Sequence, residues 1–136
     1  MTHPPQTQRD EEIAKTLTLC CQALDDKKAE DIRILRLQGI STVADYFILA
    51  TGTSEPHLRA LTQEVLQTLK AEGIPTLGAE NGGPSGWNVI DTFDVLVHVF
   101  LPATRETYRL DALWRDGDDV PLDSILKPAA LPHRQN

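Results

Sequence analysis

No stretch of this chain stays apolar for anything near the ~20 residues that a membrane-spanning helix needs. Its N-terminus lacks the basic and apolar regions of a signal peptide, and Asp10-Glu11-Glu12 argues against a transit peptide. Cysteine is nearly absent. Cys20 and Cys21 are adjacent on the apolar stripe of an expected helix, so they have no partner for a normal disulfide and read as core packing in a reducing cytoplasm. Positive charge is scarce as well, with 13 Lys and Arg against 20 Asp and Glu, a net charge of -7. Nucleic-acid binding draws on Lys and Arg to neutralise phosphates, so no direct nucleic-acid site is expected. The electrostatic complement of such a domain is a basic protein.

Catalytic patterns are missing too. There is no Walker loop, nucleophile elbow or dinucleotide fingerprint. Glycines cluster around Asn81–Gly86, but no Lys-Ser or Lys-Thr follows, so this reads as a plain loop. The four histidines (His3, His57, His98, His133) show no ligand spacing, and Arg115–Asp119 lacks the twelve-residue spacing and closing Glu of a calcium loop. The expectation is a chain that is no enzyme and takes no cofactor or metal.

What is present is a single domain of 136 residues with ordinary globular composition, 40% hydrophobic and 24% charged. Residues 1–8 read as a disordered tail. A first helix is expected over about 9–27, its buried stripe formed by Ile13, Leu17, Cys20, Cys21 and Leu24, with acids in its first turn and Lys27-Lys28 in its last. Asp31 to Leu37 reads as a strand with two covered faces or a bulge, because Ile32 and Ile34 point opposite to Leu35 and Leu37. Val43 to Thr51 is a second strand, apolar enough to be central. Gly52-Thr53-Ser54 then turns into a helix running to about Glu72. Ser54 is its N-cap, Leu58, Leu61, Val65, Leu66 and Leu69 its buried stripe, and Gly73 its stop. A short strand at Thr76-Leu77 is expected next. Residues 117–136, with Pro121, Pro128 and Pro132, read as a disordered, dispensable tail. Helices and strands in this order make an α/β (α+β) fold.

The richest stretch runs from Gly86 to Trp114. Trp87 to Asp91 and Val95 to Phe100 read as a hairpin turning at Thr92-Phe93, with a short helix over 105–114 beyond. A two-residue loop there sets Asp91 opposite Asp94, Val89 opposite Leu96 and Trp87 opposite His98, all on one face. Asn88, Ile90, Val95, Val97 and Val99 form the other, core face. Residues 86–119 hold seven acidic and three basic side chains, together with both tryptophans. An acidic face with aromatic anchors suits a basic protein partner. The partner-binding residues expected are Trp87, Asp91, Asp94, His98, Tyr108, Leu110 and Trp114. The competing readings are a packed core for each tryptophan and a homodimer using the hairpin face.

Three ordered blocks carry a family resemblance. Asp45 to Ser54 with His57 resembles the first signature of the ribosomal silencing factor (Iojap-like) family. Glu80, Trp87, Ile90-Asp91, Asp94-Val95 and Val97 to Phe100 resemble its second block, and Arg105-Glu106, Tyr108, Leu110 and Leu113-Trp114 its third. The likeness covers about residues 10–116, and the family domain is placed at 9–116. It implies a compact unit with a mixed sheet of about five strands and flanking helices, similar to the nucleotidyltransferase fold without its catalytic acids. Gly52-Thr53-Ser54 also resembles the glycine-serine corner of those enzymes. That chemistry needs a nearby Asp-x-Asp, and only Glu55, Glu64 and Glu72 lie between Ser54 and Leu77. The resemblance further implies a cytoplasmic repressor of translation that binds the fourteenth protein of the large ribosomal subunit and blocks the small subunit from joining. This chain departs from the family at Asn81 and at Phe93, where the turn usually carries glycine before its aspartate.

Overall fold

Tyr46-Phe47-Ile48-Leu49-Ala50-Thr51 offers apolar side chains to both sides, and such a strand is stable only when both faces are covered. In the computed structural model of the protein it lies in the middle of the sheet, and five of its six residues are buried. The structure describes residues 6–39, 44–80, 86–109, 112 and 117–126. In chain order the elements are α1 (Gln6–Asp26), β1 (Glu30–Arg36), β2 (Tyr46–Thr51), α2 (Glu55–Ala71), β3 (Gly78–Glu80), β4 (Trp87–Asp91), β5 (Val95–Phe100), α3 (Pro102–Tyr108), β6 (Asp118–Val120) and α4 (Leu122–Leu126).

The strands form one mixed sheet in the order β3-β4-β5-β2-β1-β6. Among the described strands only β2 and β5 run parallel, from Tyr46 opposite Val95 to Thr51 opposite Phe100. The mixed α/β sheet is the one expected, with six described strands in place of about five. The helix-covered face gathers Ile34, Ile48, Ala50, Ile90, Val95, Val97 and Val99 under α1 and α2. The opposite face gathers Leu35, Leu37, Ala44, Phe47, Leu49, Leu96 and Phe100, with Trp87 and Val89 packed against them. β1 has both features its pattern suggested. Ile34 and Leu35 are buried on opposite faces, and a bulge separates Glu30 from Arg33, with Asp31 at φ 50°.

Local chemistry explains the helix ends. Ser54 caps α2, its Oγ accepting the His57 N–H at 3.2 Å. Gly73, at φ 73°, ends α2, its N–H donating to the Lys70 carbonyl and that of Ile74 to Leu69. The same pattern ends α1, but there Lys28 takes the left-handed position at φ 64°. The apolar stripe of α1 is fully buried, Cys20 and Cys21 included, and burial pushes the Cys21 thiol up to about 12. The helix starts three residues before the expected Arg9. Its first and last turns therefore hold none of the acids or lysines expected to favour its dipole.

Several expectations need correction. The N-terminal tail expected over 1–8 is helical from Gln6. The strand expected at Thr76-Leu77 is β3, two residues later. The helix expected over 105–114 starts earlier, as α3, which ends at Tyr108 with Arg109 at φ 52°; Ala112 is again helical, and the rest of 110–114 lies outside the described residues. Residues 117–126 are structured, so a disordered tail starting at 117 does not hold for them. β6 pairs with β1, Arg33 holds the Asp119 carboxylate at 2.7 and 3.2 Å, and Val120, Leu122, Ile125 and Leu126 pack against the core.

The hairpin register also differs. Trp87 faces Phe100, Val89 faces His98 and Asp91 faces Leu96, two residues from the expected pairing. The turn is Phe93-Asp94, closed where the Thr92 N–H and Oγ1 both reach the Val95 carbonyl at 3.0 and 2.9 Å. Phe93 alone takes positive φ, 70°, so this is not the two-positive-φ turn that Asn-Gly favours. A shift of two residues keeps each side chain on its face, which is why the division into core and partner faces survives the error. Because β6 and α4 bury part of the core, deleting residues 118–136 should cost on the order of 3 kcal/mol. A denaturant midpoint unchanged by the deletion would refute that.

Candidate functional site

The structure divides the expected partner-binding residues between the two ends of the β4–β5 hairpin. At the β5 carboxyl end, Gly86 at φ 66° sets the entry of β4. That backbone angle is one glycine takes without strain, and a Cβ there would stand 2.8 Å from Leu101 Cδ1 and push the leucine side chain aside. The next residue, Trp87, turns its indole onto the face away from the helices. Its Nε1–H donates to His98 Nδ1 at 3.2 Å. Its ring packs on Phe100 with centroids 5.3 Å apart and on Tyr108 at 4.9 Å. His98 is enclosed in turn by Phe47 at 4.7 Å and Phe100 at 6.0 Å. Trp87 is half-buried, His98 is 6% exposed and Tyr108 is 52% exposed, so the cluster grades from core to solvent through Trp87.

The Trp87 bond fixes the His98 tautomer. A neutral ring that accepts at Nδ1 carries its proton on Nε2, and that buried nitrogen has no partner among the described residues. Burial holds the imidazole neutral, lowering its pKa to about 4.

Beside this cluster, Arg105 of α3 donates from Nη1 to the carbonyl of Asp31, at the β1 bulge, and to Thr51 Oγ1, both at 2.8 Å. Arg105 thereby ties α3, which carries Tyr108, to the ends of β1 and β2. Arg105 is not among the partner-binding residues expected from the sequence. His57, also near this end, has its Nδ1 accepting the Thr53 N–H at 2.9 Å and its Nε2 on the Lys27 carbonyl at 2.7 Å. It therefore joins the end of α1 to the start of α2. Among the described residues, no group of three or more His, Cys, Asp and Glu could hold a metal ion.

Asp91 and Asp94 belong to the other end of the hairpin. Asp91 lies four residues along β4 from Trp87, roughly 13 Å away, and its Oδ1 accepts the Phe93 N–H at 3.3 Å. Asp94 does not face Asp91. Its carboxylate turns toward α1, 3.9 Å from Arg9 Nη2, while its carbonyl accepts the N–H groups of Asp45 and Tyr46. Partial burial raises the Asp94 pKa, with Asp45 and Glu12 adding to the rise and Arg9 opposing it. Leu110 and Trp114 lie outside the described residues.

His98 carries a pH dependence. Its folded pKa of about 4 lies below the ordinary 6.5, so as pH falls through that window the unfolded chain takes up a proton that the folded chain refuses. Its contribution is complete above pH 6.5 and is lost toward pH 4, on the order of 3 kcal/mol in all. His98→Gln should flatten the stability profile across that window in urea titrations, and an unchanged slope would contradict the assignment.

The chain can now be set beside known proteins. The family model described as ribosomal silencing factor during starvation matches residues 10–136. A ribosomal silencing factor of Halalkalibacterium halodurans is 37% identical over 110 residues, covering 81% of this chain and 94% of that protein. A mouse protein named for mitochondrial assembly of the ribosomal large subunit is 33% identical over 101 residues, 71% of this chain and 44% of its own length. A crystal structure from Chromobacterium violaceum superposes with a TM-score of 0.71 at 36% identity, covering 74% of this chain and 84% of that one. With a family match running from the first turns of α1 past α4, and a solved relative sharing the fold, the chain belongs to the ribosomal silencing factor family.

Proposed function

We propose that this protein docks on the large ribosomal subunit, at its fourteenth protein, and keeps the small subunit from joining, so repressing translation. The family match over residues 10–136 carries this reading, and the name of the mouse relative points the same way. In this reading the chain is a cytoplasmic regulator rather than an enzyme, uses neither cofactor nor metal, and works through a domain that extends through α4.

The contact is assigned to the corner built by Trp87, His98 and Tyr108, and Leu110 and Trp114, which lie outside the described residues, are kept as proposed contacts from the family resemblance. Support comes from Tyr108. It is one of three large apolar or aromatic side chains left exposed among the described residues, and its ring rests on a tryptophan already oriented by a hydrogen bond. Aromatic anchors held in place before binding lose little entropy when a partner covers them. Asp91 and Asp94 contribute from the other end of the hairpin, by drawing in a basic partner.

Two substitutions test the reading. Tyr108→Ala removes an exposed ring, so the melting temperature should stay near wild type while affinity for the large subunit falls by about tenfold or more in sedimentation assays. Retained affinity would move the interface elsewhere. Ser54→Ala removes the α2 cap and should cost about 0.5–2 kcal/mol of stability, with inhibition of subunit joining intact in the folded fraction. Loss of a measurable metal-dependent nucleotidyl transfer on that change would favour an enzyme instead.

A further inference from the structure

At the end of the hairpin away from Trp87, a cavity of about 420 Å³ opens between α1, the loop after α2 and the Phe93-Asp94 turn. Its apolar lining includes Ile13, Ile74, Pro75 and Phe93, and Glu12 and Asp94 supply carboxylates. Phe93 is 57% exposed, and Leu77, whose N–H donates to the Asp91 carbonyl close by, is 58% exposed. Two of the three large hydrophobic side chains exposed among the described residues thus stand at this one end of the sheet.

The charges around the cavity are unbalanced. Asp45 and Asp91 stand beside the turn with Asp94. Lys15 also lines the cavity but pairs with Glu72 at 3.4 Å, and Arg9 reaches Asp94 at 3.9 Å, so the carboxylates here still outnumber the cations. Partial burial is the main cause of the raised Asp94 pKa; the Asp45 and Glu12 carboxylates add to it and Arg9 opposes it, so a further cation placed here would be favoured. Phe93 adds a second, separate observation. A bulky side chain at φ 70° is a backbone outlier where glycine would be relaxed, and outliers of this kind cluster at functional sites.

We propose that this end of the molecule is a second docking surface, which takes a basic, amphipathic polypeptide segment. Lysine or arginine side chains of the segment meet Glu12 and Asp94, and its apolar side chains cover Phe93 and Leu77. The charge of the rim selects this occupant over another copy of the acidic chain itself. The surface is independent of the Trp87–Tyr108 corner and stands whether or not that corner meets the ribosome.

The test is a titration of isotopically labelled full-length protein with a short peptide of alternating lysine and leucine, and with its glutamate-leucine counterpart, followed by amide chemical shifts. The lysine peptide should bind saturably, shift Ile13, Thr16, Ile74 and Asp94, and weaken severalfold as salt is raised. The glutamate peptide should not bind. Phe93→Gly should melt no lower than wild type, since it relaxes the turn, yet bind the peptide about fivefold or more weakly. Glu12→Gln combined with Asp94→Asn should weaken binding and remove much of its salt dependence, and Tyr108→Ala should leave the peptide affinity unchanged. Shifts centred on Trp87 and Tyr108, equal binding of the glutamate peptide, wild-type affinity in Phe93→Gly, or self-association of the chain through this face in place of peptide binding would each overturn the proposal. Large-subunit sedimentation of Tyr108→Ala and Phe93→Gly reads the other corner, so failure at one surface is distinguishable from failure at the other.

Discussion

The parallel pairing of β2 with β5 is the constraint on which the rest of the molecule depends. Parallel neighbours cannot be joined by a tight turn, so the chain between them must leave the sheet and return. It does so through α2, β3 and β4. That detour puts α2 beside α1 on one face and brings β4 back antiparallel to β5 at the far side. Because β2 and β5 are central, both of their faces must be apolar. Every residue of β5 is buried, including the histidine. The parallel pair also gives the sheet two unlike ends. The carboxyl ends of β2 and β5 gather Thr51, Phe100 and Arg105, and their amino ends bring Asp45 and Asp94 into contact. An aromatic corner and an acidic, apolar-lined cavity follow at opposite ends of one hairpin.

Some of this was legible in the residues. The continuous apolar run of β2 predicts a central strand, and Ser54 and Gly73 mark the ends of α2 because capping is a local affair of one side chain and one backbone angle. The division of the hairpin into two faces was legible for the same reason, since alternation survives a slip of two residues. The register was not. It depends on whether Phe93 tolerates a left-handed backbone, and a phenylalanine gives no local sign that it will. β6 escaped notice because Asp118-Asp119-Val120 has neither length nor alternation, and it exists only through Arg33 and the free edge of β1, 86 residues earlier. The partners of Arg105 are likewise distant, at Asp31 and Thr51, so no spacing in the sequence could have shown that it fastens α3 to the sheet.

The two carboxylates show how register decides electrostatics. With Asp91 opposite Asp94, one face of the hairpin would carry a repulsive pair next to its aromatic residues. The observed register removes that cost. Asp91 instead satisfies the Phe93 N–H and stabilises the strained turn, while Asp94 faces Arg9 on the helix side. Acidic and aromatic chemistry that look contiguous along the chain are therefore separate in space. One surface can specialise in shape and the other in charge.

His98 is the residue whose chemistry is hardest to replace. A phenylalanine would pack as well between Phe47 and Phe100 but would leave the Trp87 N–H without an acceptor, and a half-buried indole N–H without a partner costs about as much as a lost hydrogen bond. A carboxylate would accept the bond but would bring a charge into an apolar site. Neutral imidazole does both jobs, at the cost of one buried nitrogen with no partner among the described residues. That cost is local and the return is directional. The indole plane is fixed, the fixed indole supports Tyr108, and the exposed ring of Tyr108 is held in one orientation by a chain of contacts that begins in the core.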